Sequence, residues 1–513
     1  MFRSLRNIGR LLKIARILAR HDALFVLEYF NVAPAIASLA GAVSHRSAPG
    51  RAGQRLARAL NEAGPSFIKL GQALSTRSDI LGDELSEDLS ELQDRLPPFS
   101  FTDARAIIDD EFGEPLTNLF QTFDETPVAA ASIAQVHFAV TTEGDEVAVK
   151  ILRPGIEEAF ERDLELFRWI ARTVERTRPE LRRLKPEEVV ETIAGTVELE
   201  MNLQFEAAAA AELGENFEGD EDFQVPEVDW SRTSQRVMTT ERLSGVPLDD
   251  RDAIIENGHD PAAILEKAVT ATFKQVFRDG FFHADVHPGN LFVTEDGAIG
   301  AVDFGIMGRL DLKTRRTLGE LLIAFLGRDY RRAAEVHFEA GWVPAHRSVD
   351  AFTQACRSIA EPILDKPQNE ISIARLLGHL FQITETFQME TQPQLLLLQK
   401  TMLVAEGTGR KLLPEANMWF LARPMIETWM RDNLGPEAKI RDTVNGLADA
   451  VERLPRMLDG IEESSSMIAQ GRVRLDPDTV RALREQEGRG GTLPSLWFIA
   501  LLLVVFLIAT RWF

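Results

Sequence analysis

The sequence predicts an α+β protein with a small mixed lobe, then a mostly helical lobe, then a membrane-spanning C-terminal helix. Two stretches, residues 131–154 and 290–305, each show strand-like halves around a glycine-containing turn, which is typical of β-hairpins. Helical periodicity extends over most of residues 312–440. An uncharged apolar run at residues 496–510 predicts the membrane span. Mixed elements followed by helices are the order of an α+β fold.

The remaining elements follow from capping residues and periodicity. Predicted helices cover residues 50–95 (with an end at Gly64, before Pro65), 102–120, 156–176, 186–213 and 260–280, and a predicted strand covers 236–245. The second hairpin should turn at Glu295-Asp296-Gly297.

Composition limits the class of protein. The 513 residues allow two or three domains, and 45% hydrophobic with 27% charged residues is ordinary for a globular chain. A single cysteine, Cys356, excludes an internal disulfide framework and indicates a reducing compartment. The net charge of −22 argues against general nucleic-acid binding.

The N-terminus predicts a basic amphipathic helix. Its basic face consists of Arg3, Arg6, Arg10, Lys13, Arg16 and Arg20. Its apolar face consists of Leu5, Ile8, Leu12, Ala15 and Leu18. Three interpretations are open: a helix lying on an anionic membrane surface, a solvated helix packed on the protein, or a mitochondrial presequence.

The C-terminal run predicts a membrane anchor. From Leu493 to Thr510 it provides 18 residues, roughly 27 Å of helix, close to a ~30 Å bilayer core. Trp497 and Trp512 near its ends are typical of interfacial aromatic belts. Arg484 and Arg489 precede it and favour a cytoplasmic soluble part. A buried apolar helix is the alternative.

The segment "HADVHPGN" predicts phosphoryl-transfer chemistry. Asp285 could accept a hydroxyl proton as a general base. Asn290, five residues later, and Asp303 in "VDFG" offer hard oxygen ligands that suit Mg²⁺. His-x-Asp, the asparagine and Asp-Phe-Gly occur in the order found in kinases.

A kinase also needs a lysine and a loop that hold the phosphates. "VAVK" ends in Lys150, at the end of a predicted strand. The loop before it reads "AAASIAQV", with alanines at the three positions where kinases have glycines. The predicted nucleotide-binding residues are Ala129, Ala131, Ser132, Ala134, Val136 and Lys150. Three methyl groups restrict the backbone, so we expect altered phosphate geometry and poor turnover of protein substrates. An exposed lysine and a small-residue packing contact are the alternatives.

A glutamate should pair with Lys150. Glu200 and Glu206 are six residues apart, which is not one face of an ideal helix, so they are expected to reach different partners or to remain solvated acids. The run "FIKLGQ" contains Lys69, Gly71 and Gln72. Its spacing alone indicates only a helical surface.

The sequence resembles the UbiB family of atypical kinases, which includes the mitochondrial coenzyme Q kinases. The motifs that carry this resemblance are "FIKLGQ", "AAASIAQVH", "VAVK", "EMNLQFEAA", "HADVHPGN" and "VDFG". The similarity extends from about residue 60 to about residue 415 and includes "LLLLQKTMLVAEGTGRKL".

The resemblance implies a protein-kinase-like two-lobed fold with a helical N-terminal extension. It places Lys69 and Gln72 in the active-site region and implies that one of Glu200 and Glu206 pairs with Lys150 and the other with Lys69. It further implies an ATPase that binds ATP or ADP with Mg²⁺ and supports ubiquinone biosynthesis. Membrane lipids, quinone precursors and other ubiquinone-biosynthesis enzymes would be its partners. The C-terminal anchor favours a bacterial inner membrane over the mitochondrial one, because mitochondrial members are anchored N-terminally.

One motif departs from the family. The family has an E-x-D motif, and this chain has Glu200-Met201-Asn202. The second carboxylate is therefore missing at Asn202, and the sequence leaves the role of this residue open.

Two other functions are compatible with the motifs. "HADVHPGN" also resembles the catalytic loop of aminoglycoside and choline kinases, which lack "KLGQ" and "AAAS". A non-catalytic, nucleotide-gated scaffold for quinone-biosynthesis enzymes is the second alternative, favoured by the alanine loop. The predicted domains are 1–45 (basic segment), 46–125 (extension), 126–250 (N-lobe), 251–440 (C-lobe), 441–492 (helix and linker) and 493–513 (anchor).

Overall fold

The fold was analysed in a computed structural model. The structure describes residues 2–26, 49–75, 85, 88–89, 92, 96–177, 186–362, 383–384, 386–389, 393–416 and 418–434. The described residues up to Arg431 belong to one compact unit.

The N-lobe is built on an antiparallel sheet. Its strands are β1 (Phe120–Phe123), β2 (Ala129–Ala130), β3 (Ala134–Thr141), β4 (Glu146–Leu152) and β6 (Val237–Glu241). Strand β5 (Phe223–Gln224) precedes β6 in the chain but belongs to another sheet. The order is β1-β3-β4-β6, with β2 on β3. The first predicted hairpin is therefore confirmed as β3–β4, with Val136 opposite Lys150. Helix α4 (Phe101–Phe112) packs on this sheet through Ile107 and Ile108, and a short helix, α5 (Leu116–Leu119), leads into β1.

The N-terminal extension forms a helical layer together with the helices packed on it. It comprises α1 (Phe2–Arg20), α2 (Ala52–Ala63), α3 (Pro65–Ser75), α6 (Ile156–Thr177) and α7 (Pro186–Glu200). Helix α2 ends before Gly64, whose φ of 118° is accessible to glycine, as the sequence predicted. Phe67 of α3 meets Phe167 of α6 edge to face at 5.0 Å, which holds the extension against α6.

The predicted helix over 186–213 is wrong in one respect, because it is two helices. Helix α7 ends at Glu200, and α8 (Leu203–Asn216) begins after Asn202. Asn202 is the N-cap of α8, with its side chain accepting from the Gln204 N–H at 3.1 Å. The predicted helix over 102–120 is likewise divided, at Gly113 into α4 and α5.

The C-lobe combines short strands with helices. The strands are β7 (Gly245–Pro247), β8 (Phe281–His283), β9 (Leu291–Thr294), β10 (Ile299–Ala301) and β11 (Met307–Arg309), which form the sheets β5-β10-β9-β7 and β11-β8. The helices are α9 (Arg251–Glu256), α10 (Pro261–Phe273), α11 (Leu312–Leu326), α12 (Tyr330–Glu339), α13 (Val349–Ala360), α14 (Pro393–Leu412) and α15 (Met418–Leu434). The second predicted hairpin is confirmed as β9–β10, with Gly297 at φ 78° in its turn.

The N-terminal helix packs on the protein. Leu11, Ile14 and Leu18 of α1 are buried against residues of α2, α3 and α6, and Arg10 forms a paired hydrogen bond with the buried carboxylate of Asp163. Among the three interpretations, the packed helix is the one that the described side chains show. The predicted apolar face is wrong at Leu12, which is 47% exposed.

The predicted anchor at 493–513, and the helix and linker at 441–492, lie outside the described residues. In the part of the chain that the structure describes, no helix has the length and apolarity needed to cross a bilayer.

Candidate active site

The catalytic loop follows directly from β8, and His283 ties it to the next strand. The loop spans residues 284–290, between β8, which ends at His283, and β9. His283 is buried, its Nδ1 accepts the Asp285 N–H at 3.1 Å, and its Nε2 lies 3.1 Å from the Val302 carbonyl oxygen. Because Nδ1 accepts an N–H and Nε2 faces a carbonyl oxygen, the ring proton belongs on Nε2, and burial lowers the pKa of His283. The histidine therefore positions the Asp285 backbone relative to Val302, which precedes Asp303.

Asn290 closes the loop from the other end. Its side-chain Nδ2 donates to the Asp285 main-chain carbonyl oxygen at 3.1 Å. The main-chain carbonyl oxygen of Asn290 accepts from the Val302 N–H at 2.9 Å. The amide is thus oriented by its nitrogen, which leaves Oδ1 as the end able to bind a cation. Asp285, Asn290 and the residue before Asp303 are joined by this short chain of hydrogen bonds.

Lys150 stands between two carboxylates. Its Nζ lies 2.7 Å from Glu206 Oε1 on α8 and 2.9 Å from Asp303 Oδ1. Lys150 and Glu206 are largely buried, whereas the Asp303 side chain is 48% exposed at the cleft. Asp303 has a φ of 63°, a left-handed conformation that aspartate tolerates better than most residues and that is concentrated at functional sites.

These contacts shift the pKa of all three groups. Burial alone would lower the pKa of Lys150, but the neighbouring carboxylates of Asp303 and Glu206 raise it above its usual range. Burial raises the pKa of Glu206 to about 7, against the opposing effect of Lys150 and with the support of the Asp303 charge. Lys150 holds the pKa of Asp303 well below its usual range. Two carboxylates that share one lysine therefore differ in proton affinity.

The second glutamate pairs with the extension. Lys69 Nζ of α3 lies 2.8 Å from Glu200 Oε2 at the end of α7, and both side chains are largely buried. The two glutamates thus take different lysines, as expected, and the structure settles which: Glu206 with Lys150, Glu200 with Lys69. The spacing-based view of Lys69 as plain helical surface is wrong, because its charge also lowers the pKa of Asp303.

The glycine of "KLGQ" lets α3 pack closely against two leucine side chains of the extension. A Cβ at Gly71 would come within 2.5 Å of a Leu92 methyl carbon and 2.7 Å of a Leu60 methyl carbon. The extension helix can therefore lie this close only with glycine at the position, unless both leucines move. Gln72 follows Lys69 on the same helix at the i,i+3 spacing, which places the two on one face.

The alanine loop is a tight hairpin turn. Ala129 pairs with Val136 across β2–β3, and the Ala131 N–H donates to the Ala134 carbonyl oxygen at 2.8 Å. Arg153, just after β4, donates to the carbonyl oxygens of Ala131 at 3.0 Å and Ser132 at 3.2 Å. The guanidinium group of Arg153 therefore fixes the backbone of the loop, whereas glycines at these positions would leave it conformationally free.

The start of the lobe is tied to the same strand. Gln135 Oε1 accepts the Phe99 N–H at 2.9 Å, and its Nε2 lies 2.8 Å from His137 Nε2. His137 Nδ1 donates to the Asp124 carbonyl oxygen at 2.7 Å, and burial lowers the pKa of this histidine. The motif "AQVH" is therefore a structural hydrogen-bond chain. Neither Arg153 nor this chain was identified from the sequence, where only the hydrophobic alternation of the strand was informative.

Sequence reasoning also missed Lys400. Its Nζ, on α14, lies 3.0 Å from Asp285 Oδ1. The available signal was a lysine within the leucine-rich run "LLLLQK", where a charge on a packed helix needs a partner.

Comparisons with known proteins agree with this geometry. The family described as ABC1 atypical kinase-like domain matches residues 91–337, and the UbiB helical domain matches residues 356–417. The first match contains Lys150, Asp285 and Asp303, and the second contains Lys400.

Curated relatives match over most of their length. A protein of Marinobacter nauticus named probable protein kinase UbiB is 43% identical over 462 residues, which is 88% of this chain and 84% of that protein. A protein of Aeromonas salmonicida with the same name is 45% identical over 79% of this chain and 76% of the relative.

A solved structure from Mycobacterium tuberculosis, described as the complex of Rv3197 with erythromycin, is also similar. It has a TM-score of 0.51 and 26% identity over 71% of this chain and 93% of that one. This structural similarity, the two family matches and the curated relatives all agree with the residues assembled in the cleft. The chain belongs to the UbiB family of atypical kinases.

Proposed function

We propose that this enzyme binds ATP or ADP with Mg²⁺ in the cleft and, anchored to a membrane, supports ubiquinone biosynthesis by acting on or extracting lipid precursors. The observation that carries the proposal is the joining of two groups of residues. Lys150 contacts Asp303. Asn290 donates to the Asp285 carbonyl oxygen through its side-chain nitrogen, and its main-chain oxygen accepts the N–H of Val302, the neighbour of Asp303. A polyphosphate therefore has a cation on one side and a proton acceptor on the other.

The donor set fits Mg²⁺. The Asp303 carboxylate and the Asn290 amide oxygen are hard ligands, and two protein oxygens suit an ion that keeps waters and shares its shell with phosphates. When bound, Mg²⁺ would neutralise part of the phosphate charge. Lys150 now contacts both carboxylates; with a cation at Asp303, it would keep Glu206 and donate to the phosphates.

Asp285 is suited to receive the proton of the attacking group. Its carboxylate is partly exposed, and its backbone is held by His283 and Asn290. In the proposed reaction the oxygen of a water or hydroxyl bonds to the terminal phosphorus as the bond to the ADP oxygen breaks, and the proton goes to Asp285. With water as acceptor, the products are ADP and inorganic phosphate.

The proposed site of action is the bacterial inner membrane, with the soluble part in the cytoplasm. The apolar run at 493–513 supports an anchor. On α1, Lys13 and Arg16 are exposed on the side away from the buried face, which supports an additional contact with anionic lipid. The bacterial relatives are consistent with this location.

The test is ATP hydrolysis by purified full-length protein. Asp285→Asn removes the proton acceptor, and Lys150→Arg places a larger planar cation where an ammonium bridges two carboxylates; each is expected to lower turnover at least about 100-fold. The matched control is Asp249→Asn, because Asp249 also pairs with a lysine of α14, Lys411 at 2.7 Å, and is 26% exposed compared with 27% for Asp285. Unchanged hydrolysis in both site variants would refute the proposal.

The lipid part is tested separately. Turnover is measured with and without vesicles of anionic phospholipid and a prenylated quinone precursor, and is expected to rise with them. Removal of residues 493–513 should transfer the protein from the membrane fraction to the soluble fraction. Retention in the membrane fraction would assign attachment to α1, and an absence of any response to vesicles would contradict the lipid role.

A further inference from the structure

Lys400 brings a positive charge to the catalytic loop from outside the kinase-like match. Its Nζ lies 3.0 Å from Asp285 Oδ1, and the side chain is 44% exposed. An ammonium group has three donors, so one contact with Asp285 leaves two for a ligand in the cleft.

The backbone that carries Lys400 is firmly placed. Thr401 and Leu412 of α14 are buried, and Leu397 packs against the main core of the C-lobe. Arg251 donates to the Leu412 carbonyl oxygen at 3.2 Å. The lysine therefore extends from a helix fixed to the lobe that carries Asp285, so its position beside the carboxylate does not depend on a surface loop.

The Asp285 carboxylate would repel a polyphosphate in the cleft, and a nearby cation can offset this repulsion. Between His283 and Asn290 the sequence has no lysine or arginine. The ring of His287, at 3.8 Å from Asp285 Oδ2, is the one basic group of the loop near the carboxylate. A carboxylate facing a polyphosphate is repelled by it, and the repulsion is stronger in a partly buried cleft than in water because the effective dielectric constant is lower.

We propose that Lys400 contacts the terminal phosphoryl group of the nucleotide while it holds Asp285. One N–H stays on Asp285 Oδ1, and the others donate to phosphoryl oxygens. The cation offsets the repulsion between carboxylate and phosphate, and Asp285 Oδ2 remains available for the attacking water or hydroxyl. This inference rests on the proposed function, since it needs a nucleotide in the same cleft.

The test separates a terminal-phosphoryl contact from general support of the fold. Lys400→Gln, Lys400→Arg and the control Lys411→Gln are compared for the affinities of ATP and ADP and for kcat of ATP hydrolysis. Lys411 lies on the same helix about 16 Å along its axis and pairs with Asp249, so its loss removes a similar charge away from the cleft.

For Lys400→Gln, ADP affinity should stay within about twofold, ATP affinity should weaken at least about fivefold, and kcat should fall at least about 30-fold, because the lost contact strengthens as charge develops. Lys400→Arg should recover part of kcat, and Lys411→Gln should match the wild type in all three quantities.

Three results would overturn the inference. Equal weakening of ATP and ADP would assign Lys400 a structural role. Wild-type values in Lys400→Gln would show that it does not touch the phosphoryl group, and faster hydrolysis would make it a block on Asp285. Wild-type protein that binds neither nucleotide would refute the proposed function itself, whereas the other results leave that function standing.

Discussion

The two halves of the cleft are built by different interactions. On the lysine side, Lys150, Glu206 and Asp303 come from distant parts of the chain and are joined by ion pairs, with Lys69 and Glu200 beside them. On the catalytic-loop side, His283, Asp285 and Asn290 lie within eight residues and are joined mainly through backbone hydrogen bonds.

The difference teaches how each half can respond to a ligand. Buried ion pairs depend on every partner and on pH, because an unpaired buried charge is costly. Hydrogen bonds to backbone groups do not depend on a charged partner. The lysine side can therefore exchange partners when a nucleotide or cation arrives, while the loop side keeps Asp285 and Asn290 in place.

The largest expected effect tests the ion pairs. Lys150→Met leaves the buried Glu206 without its cation and should lower the free energy of unfolding by about 3 kcal/mol. The double variant Lys150→Met/Glu206→Gln should recover more than half of this loss, as measured by urea denaturation. Lys267→Met is the control, since its pair with Asp222 is more exposed and should contribute less than about 1 kcal/mol. Additive losses in the double variant would contradict the coupling.

A second variant tests the loop side. His283→Leu leaves the buried N–H of Asp285 and the carbonyl of Val302 without their ring partner and should cost about 2 kcal/mol in urea denaturation. This loss should be smaller at pH 6 than at pH 8, because burial lowers the pKa of the ring and the unfolded chain therefore takes up a proton below its ordinary pKa of about 6.5 more readily than the folded protein does. His287→Ala, at a half-exposed position in the same loop, should cost less than about 1 kcal/mol. A loss that grows toward low pH would show that His283 is charged.

The lysine side should show a pH dependence of the opposite sign. Burial raises the pKa of Glu206 to about 7, so the folded protein holds this proton more tightly than the unfolded chain. The free energy of unfolding of the wild type, relative to Glu206→Gln, should therefore fall as pH rises from about 4.5 to about 7, by on the order of 1–2 kcal/mol. The pKa of Asp303 is shifted downward and that of Lys150 upward, so neither group titrates between about pH 4.5 and about pH 7 as a result of its shift. A relative stability that rises with pH would reverse the assignment.

The smallest effect concerns the departure at Asn202. Asn202→Ala removes the N-cap of α8, the helix that carries Glu206, and should cost about 1 kcal/mol in thermal or urea unfolding. Asn202→Asp restores the family's residue and can cap as well, so its stability should lie within about 0.5 kcal/mol of the wild type. An equal loss in both variants would show that capping is not its contribution.

Local patterns and the order of motifs predicted the hairpins and the residues of the site. Alternation and a turn glycine predicted both hairpins, and the order of motifs predicted Lys150, Asp285, Asn290 and Asp303 as one set. The pattern could not show the break at Asn202, because Ser, Asp and Asn are compatible with both a helix interior and a cap until the chain direction is known. Leu12 was misplaced because a wide apolar stripe does not state which of its edges the neighbouring helices cover.

By itself, the sequence determined the kinase-like order of elements and the residue types of the site, since strand alternation, turn glycines and the loop from His283 to Asn290 are local properties of the chain. The tertiary structure alone decided that Glu206 takes Lys150, that Glu200 takes Lys69 and that Lys400 reaches Asp285. These contacts join residues between 56 and 131 positions apart (200 − 69 = 131). Helix packing and the cost of burying an unpaired charge select the partner of each charged side chain, and local sequence periodicity indicates neither.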